Sequence, residues 1–244
     1  MLFFGKKKTP ELDLSWLNAD MHSHLLPGID DGSPDIQMSI RLIKGLHAFG
    51  YKKLITTPHI LWDMYPNTTE KINSSFEELK KAVDAEQLDV ELRAAAEYYV
   101  DEHFEDELRK KSPLLPVSGN MVLIEFSMVT AQIDLQQTLF ELQIQNYQPI
   151  IAHPERYSYL LQRREYFDEL KQAGCFLQLN LMALTGYYGK SVQELAEYLL
   201  KKNYYDFAGT DLHHERHLSA LQKLAGSKLL EALKHSGTIK NHLL

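Results

Sequence analysis

The 244-residue sequence contains a single cysteine, Cys175, so no disulfide can form within the chain and nothing requires an oxidising compartment. No apolar run approaches the roughly 20 residues that span a bilayer, and we expect no transmembrane segment. Positive charge is in deficit, with 26 Lys and Arg against 33 Asp and Glu, for a net charge of −7. This balance argues against a surface built to neutralise a nucleic-acid backbone, so no nucleic-acid partner is expected.

Two common motif classes are also absent. The N-terminus has MLFF before KKK at 6–8, the reverse of the order in a secretory signal peptide, so we expect a cytoplasmic protein. Contact of this basic run with a membrane or a partner is left open. Neither GxGxxG after the first strand nor GxxxxGK[ST] occurs, so the usual nucleotide-binding signals are missing.

With 44% hydrophobic residues, the composition is that of a globular chain, and we expect an N-terminal extension over 1–17 and one domain over 18–244.

Short β-rich runs alternate with helical patterns along the chain. The predicted strands cover 18–24, 53–57, 90–97, 121–126, 149–153, 175–180 and 205–210. The first helix is expected to have Ser33 as N-cap, Pro34 at its first position and Gly50 after its end. Further helices are predicted over 68–85, 101–110, 135–146, 163–173, 192–203 and 214–224. This alternation favours an α/β fold with mostly parallel strands, and seven strands suggest a barrel; an open doubly wound sheet is the alternative.

Six of the seven predicted strands end in residues that bind metal ions. In α/β barrels the strand C-termini converge on one face, which carries the active site. His22 and His24 are two apart in an extended segment, so both side chains point to the same side. Imidazoles and carboxylates without cysteine suit Mn²⁺, Fe²⁺, Co²⁺ or Zn²⁺. Each residue alone has a plainer explanation as a cap or packing residue, but together they favour a site for two or three ions.

Six segments carry a resemblance to the PHP (polymerase and histidinol phosphatase) superfamily. They are DMHSHLLPGIDDGS, TTPHI, AAEYY, LIEFS, IAHPERY and GTDLHH, which occur in this order from Asp20 to His214. Within the superfamily, the sequence most resembles the manganese-dependent tyrosine phosphatases of bacterial capsule and exopolysaccharide clusters, the CpsB-like group. The resemblance implies a distorted (β/α)₇ barrel of the PHP type that binds three metal ions.

The resemblance also implies the residues of the site. The metal ligands carried over by motif are His22, His24, Asp31, His59, Glu97, Glu125, His153, Asp211 and His213. Arg156 matches the arginine that holds substrate phosphate, and Arg216 resembles a second such residue, although its spacing after His213 is shorter. Asp20 and Asp30 are candidates for hydrogen bonds to the ligand imidazoles.

The implied activity is hydrolysis of phosphotyrosine on protein by hydroxide that the ions activate. Mn²⁺ is the expected metal, and the expected partner is a tyrosine autokinase with a Tyr-rich tail that controls polysaccharide export. Cys175 lacks the CxxxxxR loop of cysteine phosphatases, so no thiol nucleophile is expected. The alternatives are a small-molecule phosphatase of the histidinol-phosphatase type, a nuclease of the PHP type and a non-catalytic binding module.

Overall fold

A computed structural model describes residues 10–130 and 135–244 of the chain. The basic run at 6–8 and most of the expected extension over 1–17 lie outside these residues. Within the described residues the strands are β1 (Ala19–Asp20), β2 (Lys53–Thr56), β3 (His59–Ile60), β4 (Glu91–Ala94), β5 (Glu97–Tyr99), β6 (Met121–Glu125), β7 (Gln148–Ala152), β8 (Phe176–Asn180) and β9 (Phe207–Gly209).

All strand pairs are parallel and form two sheets. One sheet has the order β1-β2-β4, and the other has the order β3-β5-β6-β7-β8-β9. The second strand position continues past the predicted strand at 53–57 but is interrupted at Pro58, which has no N–H to donate to a strand ladder. The pieces stay aligned, because Ala95 N donates to Thr56 O and Glu97 N donates to Pro58 O. β2 with β3, and β4 with β5, therefore each occupy one strand position.

The residues that follow β1 connect the two sheets. Thr57 N donates to Ser23 O at 2.7 Å on one side, and on the other side His24 N donates to Leu212 O at 2.9 Å. Ser23 and Leu212 also form a parallel bridge. The first strand position thus lies between the second and the last. The fold is a distorted barrel of seven strand positions, which confirms the predicted α/β class.

The helices cover the outside of this barrel. They are α1 (Ile36–Ala48), α2 (Thr69–Ala85), α3 (Glu102–Lys110), α4 (Leu135–Ile144), α5 (Glu165–Gln172), α6 (Lys190–Lys201), α7 (Glu215–Leu221) and α8 (Lys228–His235). The prediction of Ser33 as the first N-cap is wrong: Asp35 has the extended backbone of a cap and its side chain accepts from Met38 N. Ser33 is buried and its hydroxyl donates to Asp35 O.

The main core lies between the barrel and its helices. Leu12, Leu14 and Leu17 are buried in it, so the chain just before β1 packs against the barrel. A second cluster, which includes Met21, Leu123 and Ile150, fills the barrel interior. Among the described residues no helix is both long and apolar enough to cross a membrane.

Candidate metal centre

The ends of the parallel strands bring the predicted ligands to one mouth of the barrel. Each follows, begins or closes a strand, apart from Asp31 in the loop before α1. The structure brings all nine together: His22, His24, Asp31, His59, Glu97, Glu125, His153, Asp211 and His213. Residues up to about 190 positions apart in the chain meet here because parallel strands end on the same face.

Glu97 occupies the centre of the site and is fully buried. Its Oε2 lies 3.2 Å from Nε2 of His22 and 3.1 Å from Nδ1 of His59. Its Oε1 lies 3.1 Å from Nε2 of His153. His24 Nε2 lies 3.4 Å from the same Oε2. One carboxylate therefore contacts four imidazoles, an arrangement in which its two oxygens can serve two different cations.

Two further carboxylates lie on either side of this centre. Asp211 Oδ1 is 3.4 Å from Nε2 of both His22 and His24. Glu125 Oε1 is 3.5 Å from Nε2 of His153. Both carboxylates are almost entirely buried, so their charge must be balanced mainly by groups of the protein or by bound cations.

Asp31 supplies the outer side of the site. Its Oδ1 lies 3.5 Å from Nε2 of both His59 and His213, and its side chain is about half exposed.

Four overlapping groups in the described residues have ligand atoms close enough to share an ion: His24, Asp31, His59 and His213; His22, His24 and Asp211; His22, Glu97 and His153; and His59, Glu97 and Glu125.

Hydrogen bonds fix the tautomers of three imidazoles. Nδ1 of His22 lies 2.9 Å from Gln178 Oε1, Nδ1 of His24 lies 2.8 Å from Asp30 Oδ2, and Nδ1 of His213 lies 2.9 Å from the Asp211 carbonyl. These oxygens act as acceptors, so each Nδ1 carries the proton and each neutral ring keeps its Nε2 lone pair for the site. This is the form in which histidine binds a metal ion.

Several polar atoms at the centre lack a partner that suits them. Nε2 of His22 and Nε2 of His24 lie 3.2 Å apart, so two lone pairs face each other when both rings are neutral. Glu97 Oε2, His59 Nδ1 and His153 Nδ1 are buried and make no hydrogen bond of acceptable geometry with any residue in 10–130 or 135–244. Cations between these atoms would satisfy the facing lone pairs and the carboxylate oxygen, so the donor set fits divalent metal ions.

The ionisation of the buried acids agrees with this fit. Burial opposes the charge of Glu97, but His22 and His59, when protonated, hold its pKa well below its ordinary value, a role that a bound cation would take when the rings are neutral. Burial and the neighbouring charge of Glu97 raise the pKa of Glu125 well above its ordinary value. Burial lowers the pKa of His153 to about 4, so this ring is neutral at pH 7. The site therefore presents an ionised Glu97 and a neutral His153, while Glu125 needs added positive charge to ionise.

The backbone is constrained where ligands leave their strands. His153 has φ +31° and Asp211 has φ +51°, values that non-glycine residues rarely adopt. Such conformations cluster at functional sites because the surrounding structure must hold them. At Gly209, a Cβ atom would lie 2.7 Å from His22 Cβ, so only glycine allows β9 to approach the first strand this closely.

Arg156 lies beside the ligand cluster in the HPERY segment. Its Nη1 donates to Asp211 Oδ2 at 2.9 Å, and its guanidinium carbon is 4.8 Å from the centre of the Tyr188 ring. Asn180 Nδ2 donates to both the Tyr188 hydroxyl and Asp211 Oδ2. These contacts fix the guanidinium at a cavity of about 250 Å³ that Asp31, Glu125 and Tyr188 also line.

Three other residues are predicted to act at the site: Arg216, Asp30 and Asp20. Arg216 is exposed in the first turn of α7 and is not among the residues that line this cavity, so its role in phosphate binding stays a prediction. Asp30 contacts His24, as expected. Asp20 instead accepts from the backbone N and the hydroxyl of Thr210, not from an imidazole.

The roles of three further residues of the site could not be predicted from the sequence. Gln178 in β8 accepts from both the His22 ring and the His153 backbone, yet a glutamine in a strand carries no local signal. Tyr65 stacks on His59 with 5.7 Å between ring centres. Asn180 ends the one predicted strand without a strong ligand, and the structure shows that it orients Tyr188 and Asp211.

The sequence matches a family model described as "Capsular polysaccharide synthesis, CpsB/CapC" over residues 18–228. Tyrosine-protein phosphatase YwqE of Bacillus subtilis is 27% identical over 218 residues, with 86% of each chain covered. The matched family region includes all nine candidate ligands and Arg156.

Solved structures share the fold. A crystal structure from work on YwqE of Bacillus subtilis and CpsB of Streptococcus pneumoniae, described as metal-dependent tyrosine phosphatases, is 26% identical with a TM-score of 0.76. It covers 91% of this chain, and this chain covers 96% of it. A histidinol phosphate phosphatase of Lactococcus lactis, at 15% identity and a TM-score of 0.55 with 93% and 94% coverage, shares the fold alone.

Proposed function

The chain belongs to the CpsB/CapC family of capsular polysaccharide synthesis, and from this premise we propose that it is a metal-dependent protein-tyrosine phosphatase. The proposal rests above all on the buried cluster around Glu97, where imidazole and carboxylate ligands converge beside the fixed guanidinium of Arg156. The similar proteins YwqE and CpsB, described as metal-dependent tyrosine phosphatases, support it.

We assign the nine gathered side chains as ligands of two or three ions, with Mn²⁺ as the expected metal. Glu97 would contribute to more than one ion, since its two oxygens face different imidazoles, and Asp211 would contribute its Oδ1 together with His22 and His24. The mix of nitrogen and oxygen donors without sulfur supports Mn²⁺, and Fe²⁺, Co²⁺ and Zn²⁺ also accept it. When bound, such ions supply Lewis acidity toward water and toward the phosphoryl oxygens.

Arg156 would hold the phosphoryl group. Its Nη1 is fixed by Asp211, and the planar guanidinium has further N–H groups that match two phosphoryl oxygens. The Tyr188 ring stacks against the Arg156 guanidinium and restricts its rotation. The chain thus positions one permanent positive charge where charge develops on the transferred phosphoryl group.

The proposed substrate is an aryl phosphate. A phenol has a pKa of about 10, so the phenolate departs with less need for protonation than an alkoxide. The half-buried Tyr188 lines the same cavity and offers an aromatic wall. A phosphotyrosine side chain, with its ring and terminal phosphoryl group, matches these features.

The partner that we propose is a tyrosine autokinase of capsule or exopolysaccharide synthesis with a Tyr-rich tail. The description of the family as one of capsular polysaccharide synthesis supports this choice. A cytoplasmic location stays a prediction. The phosphorylated tail of such a kinase should lose phosphate faster than an unrelated phosphotyrosine protein at the same concentration.

Phosphate release with and without a chelator tests the activity. We expect the purified protein to hydrolyse a phosphotyrosine peptide, to lose this activity in EDTA and to regain it when Mn²⁺ is added in excess. Histidinol phosphate should be a much poorer substrate. Activity that resists the chelator and depends on a thiol, or a preference for histidinol phosphate, would refute the proposal.

A further inference from the structure

A second cavity lies next to the metal centre. It has a volume of about 500 Å³ and is lined by residues of β3, the turn after it, α2 and α3. We call it the side cavity and define it by Trp62, Asn67, Glu70, His103, Phe104 and Glu107. None of the side chains in the proposed mechanism belongs to it.

Strand β3 and the turn at 61–65 separate the two cavities. His59 contributes to the metal centre, whereas Ile60, the next residue, lines the side cavity. Tyr65 stacks on His59 while Trp62, three residues earlier, lines the side cavity. Because consecutive Cα atoms are 3.8 Å apart, the Cα atoms of His59 and Trp62 are at most about 11 Å apart. An extended polypeptide covers this distance in about three residues.

The walls of the side cavity are aromatic. The rings of Trp62 and His103 stack with 3.7 Å between centres and 14° between planes. Trp62 N also donates to Asp101 Oδ2, which ties the turn to the start of α3. Trp62 is nevertheless 42% exposed, so part of its indole face is free to contact a ligand. An aliphatic chain or a cation can pack on such a face.

The carboxylates that line the side cavity are not balanced by a lining cation in the part of the chain that the structure describes. Glu70 and Glu107 line it, and no Lys or Arg is among its described lining residues. Lys110 Nζ lies 3.2 Å from Glu107 Oε1 at the exposed side of α3, and the Ser112 side chain also hydrogen-bonds to this carboxylate, which keeps it ionised. The cavity is therefore acidic, although it includes the N-terminus of α2, where Thr68 already caps Lys71 N.

Asn67 adds an unpaired acceptor. It is 1% exposed and lines the side cavity, and its Nδ2 donates to the carbonyls of both Ile29 and His59. These two bonds fix the amide orientation, and Oδ1 is left with no hydrogen-bond partner in the described part of the chain. A buried amide oxygen of this kind needs a donor N–H.

We infer that the side cavity binds a basic side chain, Lys or Arg, that lies two or three residues from the phosphotyrosine in the polypeptide substrate. The aliphatic stem packs on Trp62 and Phe104, and the cationic head meets the glutamates. This inference rests on the proposed function and extends it, because it makes the protein selective among phosphotyrosine sequences.

Three peptides of equal length test the selectivity. Each carries one phosphotyrosine, with Lys, Ala or Glu at the positions two and three residues away on both sides, and free O-phosphotyrosine serves as the basal substrate. One exposed ion pair and the burial of about one methylene group on Trp62 together predict a kcat/KM about three- to tenfold higher for the Lys peptide than for the Ala peptide. The difference should lie mainly in KM, and the Glu peptide should be the poorest.

Variants locate the effect. Trp62→Ala and Glu70→Gln should each reduce the advantage of the Lys peptide, and Glu70→Lys should favour the Glu peptide. Hydrolysis of free O-phosphotyrosine should stay unchanged in all three. Phe140→Ala is the matched aromatic control, since Phe140 is exposed on α4, and Glu77→Gln is the matched control two turns further along α2. Both controls should keep the wild-type preference.

Each outcome decides the inference. Equal kcat/KM for the Lys and Ala peptides, a preference for the Glu peptide, or an unchanged preference in Trp62→Ala and Glu70→Gln would overturn it. If free O-phosphotyrosine is hydrolysed while the peptides show no preference, only this inference fails. If neither free O-phosphotyrosine nor any peptide is hydrolysed, the proposed function fails as well.

Discussion

Replacing Arg156 with lysine should slow phosphotyrosine hydrolysis without removing the metal ions. The variant keeps the positive charge beside Asp211, whose buried carboxylate Arg156 contacts at 2.9 Å. It loses the planar fork, because one ammonium cannot hold Asp211 and two phosphoryl oxygens in the same geometry. The conservative change therefore separates binding of phosphate from support of the metal site.

The expected loss of kcat/KM in Arg156→Lys follows from the hydrogen bond that the variant loses. A hydrogen bond to a charged group contributes about 1.5–3 kcal/mol. The loss of one such bond to the phosphoryl group lowers kcat/KM about 10- to 100-fold, since about 1.4 kcal/mol corresponds to a factor of ten. Arg156→Ala should be worse still, because it also leaves Asp211 without its ion-pair partner in a buried site.

The assay is kcat/KM for O-phosphotyrosine with saturating Mn²⁺, together with metal analysis of each protein. Arg164→Lys is the matched control, because Arg164 also stacks on a tyrosine, Tyr198, at 4.6 Å but is exposed on the outer surface. The control should behave as wild type. An Arg156→Lys protein with full metal and a kcat/KM within twofold of wild type would show that Arg156 does not hold the phosphoryl group.

Substitutions at three further residues have definite expected outcomes. Burial raises the pKa of Cys175 to about 12, so about one thiol in 10⁴ is ionised at pH 8. Labelling by a thiol reagent should be slow in the native protein and faster as pH rises, and Cys175→Ser should stay active; rapid labelling that abolishes activity would contradict this. Gly209→Ala should lower the metal content measured by mass spectrometry, because the new Cβ would displace His22; unchanged content would be evidence against a close approach. Tyr188→Phe keeps the ring under Arg156 and should change KM less than about threefold, whereas Tyr188→Ala should raise it about tenfold; equal effects of the two would assign the role to the hydroxyl.

The strands and their terminal ligands could be predicted because their signals are local. An apolar run such as Val122–Leu123–Ile124 before Glu125 marks both a buried strand and its end. Parallel topology then brings the ends together without further information. The motifs of the resemblance add Asp31, which lies in a loop and has no periodic pattern around it.

Other features depend on contacts between distant residues and could not be predicted. Gln178 is an ordinary polar residue in the sequence, and only the fold puts it between His22 and His153. The break at Pro58 follows from its missing N–H, but the compensating bonds to the neighbouring strand are visible only in the structure. Ser33 and Asp35 are both good caps by type, and the inward turn of Ser33 decides between them.

Anomalous diffraction from crystals of the protein grown with Mn²⁺ tests the metal centre most directly. We expect at least two anomalous peaks within about 2 Å of the facing atoms of His22, Glu97 and Asp211, at coordination distance. One peak should lie between Glu97 and His59. Data that place manganese only on the protein surface, with none at this mouth of the barrel, would contradict the account.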